Sequence, residues 1–214
     1  MNVRPQELAP REFYRLLITS VVPRPIAWVS TIDPDGIHNL APFSFFNVLC
    51  ATPPLLGFCP GIRSKDVREA RGTGVKDTLR NVRETGEFVV NVVPFSLAEQ
   101  MNLTSGEYDA SVDEFQVANL TRRPSQVIRP PQVAESPVNF ECKVFQILDF
   151  GTETAGGSLV IGEIVSVHLA EEVLRDGRID GKLLDLVGRM GGMQYTRTRE
   201  RFEMERPGLN PPVK

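Results

Sequence analysis

The stretch of sequence that decides the fold lies at residues 23–47 and reads PRPIAWVSTIDPDGIHNLAPFSFFN. Two prolines bracket Arg24, and neither suits the middle of a paired strand because proline lacks a backbone N–H. The apolar run Ile26–Ile32 predicts a strand. The residues DPDG at 33–36 predict a tight turn, since proline fixes φ and glycine tolerates a positive φ. A second strand is expected from about Asn39, so the stretch predicts a β-hairpin.

The ends of this hairpin carry polar and aromatic side chains. Arg24 supplies a positive charge, Ser30, Thr31 and Ser44 supply hydroxyl groups, and Phe45 supplies a flat apolar surface. Taken one at a time, Ser30 and Thr31 are better explained as ordinary strand residues and Arg24 as a solvated loop charge. Taken together at the ends of one hairpin, they are about as well explained by binding of a phosphorylated aromatic cofactor.

The hairpin resembles the opening hairpin of the flavin reductase-like family, the FMN-binding split barrels that include flavoredoxin. Three later segments are similar to the same family, in the same order: KDTLRN at 76–81 followed by GEFVVN at 86–91, SPVNFEC at 136–142, and GRMGG at 188–192. The resemblance spans most of the chain. It implies a mainly β fold, an FMN-binding split β-barrel (a Greek-key antiparallel barrel) with peripheral helices, and a single domain over residues 1–214.

Length and composition are those of an ordinary globular chain. The 214 residues suffice for one large all-β domain or, less well supported, two small ones; 41% are hydrophobic and 24% charged. A formal net charge of −3, with acids and bases intermixed, argues against a nucleic-acid binder.

No apolar run approaches the ~18 residues that cross a bilayer, and residues 1–11 lack a signal-peptide core, so we expect a cytoplasmic protein. Cys50, Cys59 and Cys142 are expected to be buried, reduced thiols.

Beyond the hairpin, apolar periodicity predicts a few short helices and several strands. The helices are expected at 11–17, at 77–85 with Asp77 or Thr78 as cap and Gly86 as stop, at 96–101 with Ser96 as cap, and in a mixed-charge run over 197–206. The strands are expected at 53–59, 88–93, 138–150 and 159–169. Residues 61–75 are predicted to form a loop with at most one helical turn, and the proline-rich segment 102–136 to wrap the surface.

The start of the helix predicted at 77–85 is a candidate phosphate site. Unpaired backbone amides and the positive end of the helix dipole lie there, Lys76 adds a charge and Thr78 adds a hydroxyl. Asp77 would repel a phosphate, so its expected role is to hold the loop. From these residues alone an ordinary capped surface helix is the better explanation, and the family resemblance reverses that preference. Residues 72–78 lack the Gly-Lys-Ser/Thr ending of a P-loop, which argues against a nucleotide triphosphatase.

The resemblance implies a cofactor site made of Arg24, Trp28, Ser30, Thr31, Ser44, Phe45, Lys76, Asp77 and Thr78. Within that set Trp28 is better explained as a core residue, while Ser44 is the better polar contact to the flavin ring. No acid–base catalyst, nucleophile or metal ligand is predicted, because His38 and His168 lack metal-ligand spacing and are expected to face solvent. Such a pattern suits flavin chemistry, in which the cofactor carries hydride and electrons.

These observations favour an FMN-binding oxidoreductase of the flavin reductase type that takes hydride from NADH or NADPH. Two alternatives stay open: an FMN electron carrier similar to flavoredoxin and reduced by a protein partner, and a flavin-binding module without turnover. The resemblance also implies a homodimer with the flavin near the interface, whose partner surface is expected to include exposed aromatics at 43–46. A protein electron donor or a monooxygenase acceptor is a further expected partner. Arg189 is expected to meet a pyridine nucleotide phosphate or the dimer partner.

Overall fold

The computed structural model describes residues 2–151, 153 and 156–208, and most of its regular structure is β. The strands are β1 Ala27–Ile32, β2 His38–Phe43, β3 Phe46–Ala51, β4 Pro54–Phe58, β5 Glu87–Asn91, β6 Arg122–Arg123, β7 Gln132–Val133, β8 Val138–Asp149, β9 Ser158–Leu169, β10 Leu174–Arg175, β11 Arg178–Ile179, β12 Val187–Arg189 and β13 Tyr195–Arg197. The helices are α1 Pro10–Ser20, α2 Lys65–Arg71, α3 Asp77–Thr85, α4 Ala98–Leu103, α5 Glu114–Val117 and α6 Gly181–Leu184, with short 3-10 turns at Pro5–Glu7, Phe95–Leu97 and Glu171–Val173. In these described ranges, no helix has the length and apolar character that crossing a membrane requires.

One antiparallel sheet of seven strands organises the molecule, in the order β2-β1-β5-β8-β9-β4-β3. Strands β2 and β3 form its opposite edges, yet only Ser44 and Phe45 separate them in sequence. So short a connection spans at most about 11 Å. The two edges must therefore approach each other, and the sheet rolls into a barrel with the helices outside it. The mainly β fold with peripheral helices is as predicted.

The predicted β1–β2 hairpin is confirmed, with a register that pairs Ala27 with Phe43 at its open end and Thr31 with Asn39 near its turn. The turn closes on Asp33, whose backbone N–H donates to the Ile37 carbonyl at 3.0 Å and whose carboxylate accepts from the Ile37 N–H at 2.8 Å. Gly36 has a φ of +91°, the left-handed conformation that a glycine is needed to supply.

Strand β1 is buried on both faces and so joins two apolar cores. Successive strand residues point to opposite faces. Ala27 and Val29 therefore pack into the first core, which also takes Leu79 and Val82 from α3. Trp28 lies in the second core, outside the barrel, and its indole N–H donates to the Thr104 hydroxyl at 2.8 Å. The remaining members of the second core are Ile26, Leu40, Val93, Leu97, Met101, Phe115, Val133 and Val187.

Helix α3 has the predicted bounds, but its N-terminal cap differs from the prediction. Lys76 is the N-cap residue, and no side chain bonds to the first amides of α3 in the described part of the chain. The cap prediction for Asp77 and Thr78 is wrong because the Asp77 carboxylate bonds instead to the guanidinium groups of Arg63 and Arg80. The C-terminal prediction is confirmed, since Gly86 follows the helix with a φ of +71°.

Four other sequence predictions need correction. Residues 61–75 were predicted to form a loop with at most one helical turn, but Lys65–Arg71 form the seven-residue helix α2, about two turns long. Ser96 does not cap a helix, because it lies inside a 3-10 turn and α4 begins two residues later. The mixed-charge helix over 197–206 is absent from the described residues there, where Arg197 and Arg199 pair with Asp185 and no helix forms. Strand β3 was not predicted, because its apolar residues merge with the aromatic cluster that precedes them.

Candidate functional site

The structure divides the predicted cofactor residues between the two ends of the β1–β2 hairpin. The turn end lies against α3 and forms what we term the α3 cluster, made of Arg63, Lys76, Asp77, Thr78 and Glu107. The open end forms what we term the Arg24 pocket, a cavity of about 260 Å³ lined by Tyr14, Ile18, Arg24, Ile26, Pro42, Ser44, Met101, Asn102, Ser105, Arg189, Gly192 and Tyr195.

Each cation of the α3 cluster faces an acidic side chain. The Lys76 ammonium donates to Glu107 Oε1 at 3.1 Å, and Arg63 Nε donates to Glu107 Oε2 at 3.1 Å. One carboxylate from the 102–136 segment thus bridges two cations beside the first turn of α3. Burial alone would raise the pKa of Glu107, but the charges and hydrogen bonds of Lys76 and Arg63 outweigh it and lower that pKa.

Asp77 has the loop-holding position that its sequence context suggested. Its carboxylate pairs with Arg63, which is only 4% exposed, and with Arg80 at 2.6 Å. Arg63 also donates to the Val75 carbonyl, so it ties the loop before α3 to the helix itself. With its carboxylate held on these arginines, Asp77 leaves the first amides of α3 without a side-chain acceptor.

The Thr78 hydroxyl points inward and belongs to a buried polar chain. It donates to Asn39 Oδ1 at 3.2 Å, and Asn39 Nδ2 donates to Glu114 Oε2 at 3.4 Å. The same Glu114 oxygen accepts the Leu40 backbone N–H at 3.0 Å. Burial raises the pKa of Glu114 to about 7, against the opposing backbone hydrogen bonds. This chain fixes the first turn of α3 against strand β2.

The hydroxyl-bearing strand residues and Trp28 are fully buried, each at 0% exposed. Ser30 donates to the Pro131 carbonyl and accepts from Asn91 Nδ2 at 3.3 Å, while the Thr31 hydroxyl accepts from Asn81 Nδ2 at 3.1 Å. Their polar atoms therefore hold the barrel to α3 and to the 102–136 segment. Their assignment to the cofactor site stays a sequence-based prediction.

Arg24 in the pocket is bound mainly by backbone carbonyls. Its Nη1 donates to the carbonyls of Ile18 at 2.7 Å and Val21 at 2.8 Å, near the end of α1. Its Nη2 donates to the Met190 carbonyl at 3.1 Å, and its Nε donates to the Ser44 hydroxyl at 3.4 Å. Arg24 is 7% exposed. Burial, together with the charge of Arg189, lowers its pKa against an opposing contribution from Tyr14.

A second guanidinium, that of Arg189, lies in the same pocket. The backbones of Arg24 and Arg189 pair through two hydrogen bonds of 2.9 and 2.8 Å. The Arg189 guanidinium lies over the Tyr195 ring, 4.4 Å from its centroid, and donates to the Gly192 carbonyl. The Tyr195 hydroxyl lies 3.4 Å from Asn102 Oδ1, which ties this segment to α4.

The pocket and the α3 cluster lie at opposite ends of the hairpin, and the segment after α4 contributes to both, through Ser105 in the pocket and Glu107 in the cluster. Strand β2 directs Ala41 and Phe43 into the first core and Leu40 into the second. By the same alternation Asn39 of the α3 cluster's polar chain and Pro42 of the pocket point to different faces. Five residue steps separate Asn39 from Ser44, about 16 Å of strand.

Sequence reasoning missed Arg63 and Glu107. Arg63 lies in the segment that was predicted to be a loop, and Glu107 lies in the wrapping segment, 31 residues after Lys76. Neither residue belongs to a recognisable motif. Their contacts exist only because two distant segments meet at the start of α3.

Comparison with known proteins places the chain in a family. A family model described as the flavin reductase like domain matches residues 19–193, and the chain belongs to that family. An uncharacterized protein of Halalkalibacterium halodurans is 40% identical over 212 residues, which cover 98% of this chain and 98% of the relative.

Two solved structures give the same result for the fold. Nitrilotriacetate monooxygenase component B from Bacillus cereus superposes with a TM-score of 0.86 at 33% identity, covering 95% of this chain and 98% of that one. A flavin reductase with a split barrel domain from Shewanella frigidimarina superposes with a TM-score of 0.77 at 27% identity, covering 96% and 99%. The predicted family and the split-barrel fold are therefore confirmed.

Proposed function

We propose that this protein is an FMN-binding oxidoreductase that accepts hydride from NADH or NADPH and passes the electrons onward. The observation that carries the proposal is the start of α3 in a chain of the flavin reductase-like family. Among the described residues, no side chain caps the first backbone amides of this helix, and the side chains of Lys76 and Arg63 lie beside them. These groups suit a phosphate monoester, which carries up to two negative charges near neutral pH.

Occupation of this site by the FMN phosphate requires one rearrangement. Glu107 bonds to Lys76 and to Arg63 and so holds the position that the phosphate would take. The phosphate carries more negative charge than a carboxylate and can also accept hydrogen bonds from the helix amides. It therefore competes well with Glu107 for the same cations. We propose that Lys76 contacts the phosphate, that Asp77 holds the loop through Arg63, and that Thr78 positions the helix through Asn39.

Ser44 and Phe45 are the residues that we assign to the flavin ring. Both lie in the two-residue connection between the edges of the barrel, and the Phe45 side chain is 44% exposed. The Phe45 carbonyl already accepts the Cys59 N–H at 2.8 Å, which holds the connection in place. A bound flavin would supply the hydride and electron chemistry, and the protein would position it.

We further propose a homodimer. Edge strand β3 carries Val48, 66% exposed, and Leu49, 47% exposed, next to the exposed Phe45 ring, and such a patch suits a protein interface. Of the aromatics expected at the interface, Phe43 is buried at 7% exposed, so Phe45 is the better candidate. A partner subunit would also explain how one flavin could reach groups that lie at opposite ends of a single hairpin.

The identity of the electron acceptor is the most specific part of the proposal. Because nitrilotriacetate monooxygenase component B shares the fold at 33% identity, we propose that reduced flavin is delivered to a partner monooxygenase. Of the three cysteines that were expected to be buried, Cys142 is buried, whereas Cys50 and Cys59 are only half-buried. All three are free thiols, which suits a reducing compartment such as the cytoplasm.

The decisive experiment compares FMN with riboflavin on the purified protein. Fluorescence titration should give FMN the tighter binding, because riboflavin lacks the phosphate. Stopped-flow mixing of the FMN-loaded protein with NADH or NADPH should then bleach the flavin absorbance. Equal affinity for the two flavins would reject the α3 site. Tight FMN binding without reduction by either nucleotide would instead indicate a carrier reduced by a protein.

Light scattering of dilute protein tests the proposed dimer. A monomer of 23.8 kDa that holds FMN tightly would reject the dimer.

A further inference from the structure

The two histidines of the chain contact two neighbouring arginines. Arg122 and Arg123 form strand β6, which pairs with β7 in the wrapping segment. Arg122 Nη1 lies 2.8 Å from His38 Nδ1 on β2, and Arg123 Nη1 contacts His168 Nε2 on β9. Consecutive strand residues point to opposite sides, so this short strand reaches two different strands of the barrel. Both histidines were predicted to face solvent, but both are half-buried.

These hydrogen bonds determine the protonation state of both imidazole rings. A guanidinium carries donors only, so the histidine nitrogen must be the acceptor in each contact. An imidazole nitrogen accepts a hydrogen bond only while it holds no proton, so each ring is neutral and carries its single proton on the other nitrogen. A protonated ring has two donors and no acceptor. It would place its positive charge against that of the arginine.

Carboxylates near both histidines offer a protonated ring a different partner. Asp113 Oδ2 lies 3.9 Å from His38 Nδ1 and accepts from the neighbouring guanidinium at 2.9 Å. The charge of Asp33 in the hairpin turn also acts on His38, and the charge of Glu172 acts on His168. Burial and the adjacent arginines outweigh these acids and lower the pKa of both histidines. Proton uptake would therefore replace an arginine contact by a carboxylate contact at each ring.

The two strands of the ribbon differ in how they are held to the barrel. Strand β7 is held by groups that do not titrate, because the Val133 backbone N–H donates to Asn91 Oδ1 at 2.9 Å. Strand β6 is held largely by its two arginines. Arg123 also donates to the Ala134 carbonyl at 2.9 Å and to Asn139 Oδ1 at 3.3 Å. Protonation of the histidines should therefore loosen β6 and leave β7 in place.

We propose that strand β6 is a pH-sensitive clamp on the wrapping segment, closed by two neutral histidines and loosened when they take up protons. Upstream of β6 the same segment carries Glu107 to the α3 cluster, so the clamp anchors a part of the chain that reaches the candidate phosphate site. Because the unfolded state takes up protons that the folded state resists, the clamp stabilises the protein above about pH 6.5 and loses that contribution as the pH falls. The proposal does not depend on flavin binding.

Hydrogen exchange of the full chain tests the proposal, with mass spectrometry at pH 7.5 and pH 5 and correction for the intrinsic exchange rate. The amides of residues 118–123 should lose about tenfold or more in protection at pH 5. The amides of strand β5 are the internal control and should keep their protection, because β5 lies inside the seven-stranded sheet.

The matched variants replace each ring by an amide whose oxygen can accept the same hydrogen bond but does not titrate. His38→Asn imitates the accepting Nδ1, and His168→Gln imitates the accepting Nε2. The double variant should keep the protection of residues 118–123 at pH 5 within about twofold of its value at pH 7.5. Glu114, with a pKa of about 7, titrates in the wild type and in the variant, so its contribution cancels in the comparison.

Several outcomes would overturn the proposal. They are equal protection of residues 118–123 at both pH values in the wild type, an equal loss in the double variant, and a loss that extends to β5. NMR titration of the wild type gives a test that does not depend on the fold of the variants. The chain has two histidines, so it gives one pair of imidazole C–H signals to follow. Values of the histidine pKa at or above about 6.5 for both rings would also overturn the proposal.

Discussion

The two ends of the β1–β2 hairpin differ in how the positive charges of their side chains are compensated. In the α3 cluster, Lys76 and Arg63 share the carboxylate of Glu107. In the Arg24 pocket, the guanidinium of Arg24 is bound by three backbone carbonyls, and the described residues provide no carboxylate for it. An anion that enters the first region must displace an acid that is already there. An anion that enters the second gains an interaction that the protein itself does not supply.

The difference also separates structural from ligand-binding roles among the cations. Arg24 is 7% exposed and joins α1, the hairpin and the 188–192 segment, so its removal should damage folding. The Lys76 side chain is 33% exposed and makes one ion pair, so its removal should spare folding and affect ligand binding. Three of the four predictions below test this separation, and the one on Glu114 tests the buried polar chain behind α3. They are ordered by the size of the expected effect.

Replacement of Arg24 by methionine should have the largest effect on stability. The change leaves the carbonyls of Ile18, Val21 and Met190 without their donor, and we expect a loss of about 3 kcal/mol in the free energy of unfolding. Urea denaturation followed by the fluorescence of Trp28 measures it. Arg175→Met serves as the control, because that arginine is exposed and should change stability by less than about 0.5 kcal/mol. A variant as stable as the wild type would show that Arg24 is not a structural tie.

Replacement of Lys76 by alanine should weaken FMN binding about ten- to a hundredfold, because one charge-assisted contact to the phosphate is lost. The free energy of unfolding should change by at most about 1 kcal/mol, since the Lys76 pair is partly exposed. Flavin fluorescence titration measures the affinity, and Lys65→Ala is the control. Lys65 is 81% exposed and pairs with Glu69 on α2. If Lys65→Ala weakens binding and Lys76→Ala does not, the phosphate site belongs to α2.

The buried Glu114 should make stability depend on pH. Its pKa rises from an ordinary carboxyl value to about 7 on folding. Between about pH 4.5 and 7 the folded state therefore holds a proton that the unfolded state has released, so this group lowers stability as pH rises through that window. Glu114→Gln removes the dependence. Relative to the wild type, it should gain about 2 kcal/mol between pH 5 and pH 7.5 in urea denaturation.

The exposed Glu163→Gln is the control for that measurement. A difference between Glu114→Gln and the wild type that stays constant from pH 5 to pH 7.5 would contradict the raised pKa. Because Glu114 connects through Asn39 to Thr78, any change in the FMN affinity of the variant would also show whether this buried chain positions the start of α3.

Replacement of Glu107 by glutamine should have the smallest effect, and in the opposite direction. The change removes the anion that competes with a phosphate for Lys76 and Arg63, so FMN affinity should rise by up to about fivefold. Glu69→Gln, which breaks an exposed pair on α2, should leave the affinity unchanged. A fall in FMN affinity for Glu107→Gln would mean that Glu107 helps to build the site instead of competing for it.

The sequence determined the elements whose signals are local. Proline and glycine at 33–36 fix the turn of the hairpin, and Gly86 ends α3, because each depends on the backbone of its own residues. Alternation of side chains predicted the long strands β8 and β9, and the family segments predicted the split barrel. The boundaries of α3 also follow from its own residues.

Only the tertiary structure decided which charges meet. Asp77 looked like a helix cap in the sequence, but the side chain of Arg63, 14 residues earlier, draws its carboxylate away. Arg24 looked like a solvated loop charge, but α1 and the 188–192 segment enclose it. An ion pair depends on separations of a few ångströms between residues that are distant in the chain, and no local pattern records such separations. For that reason the hairpin could be predicted from the sequence, while the contrast between its two ends required the fold.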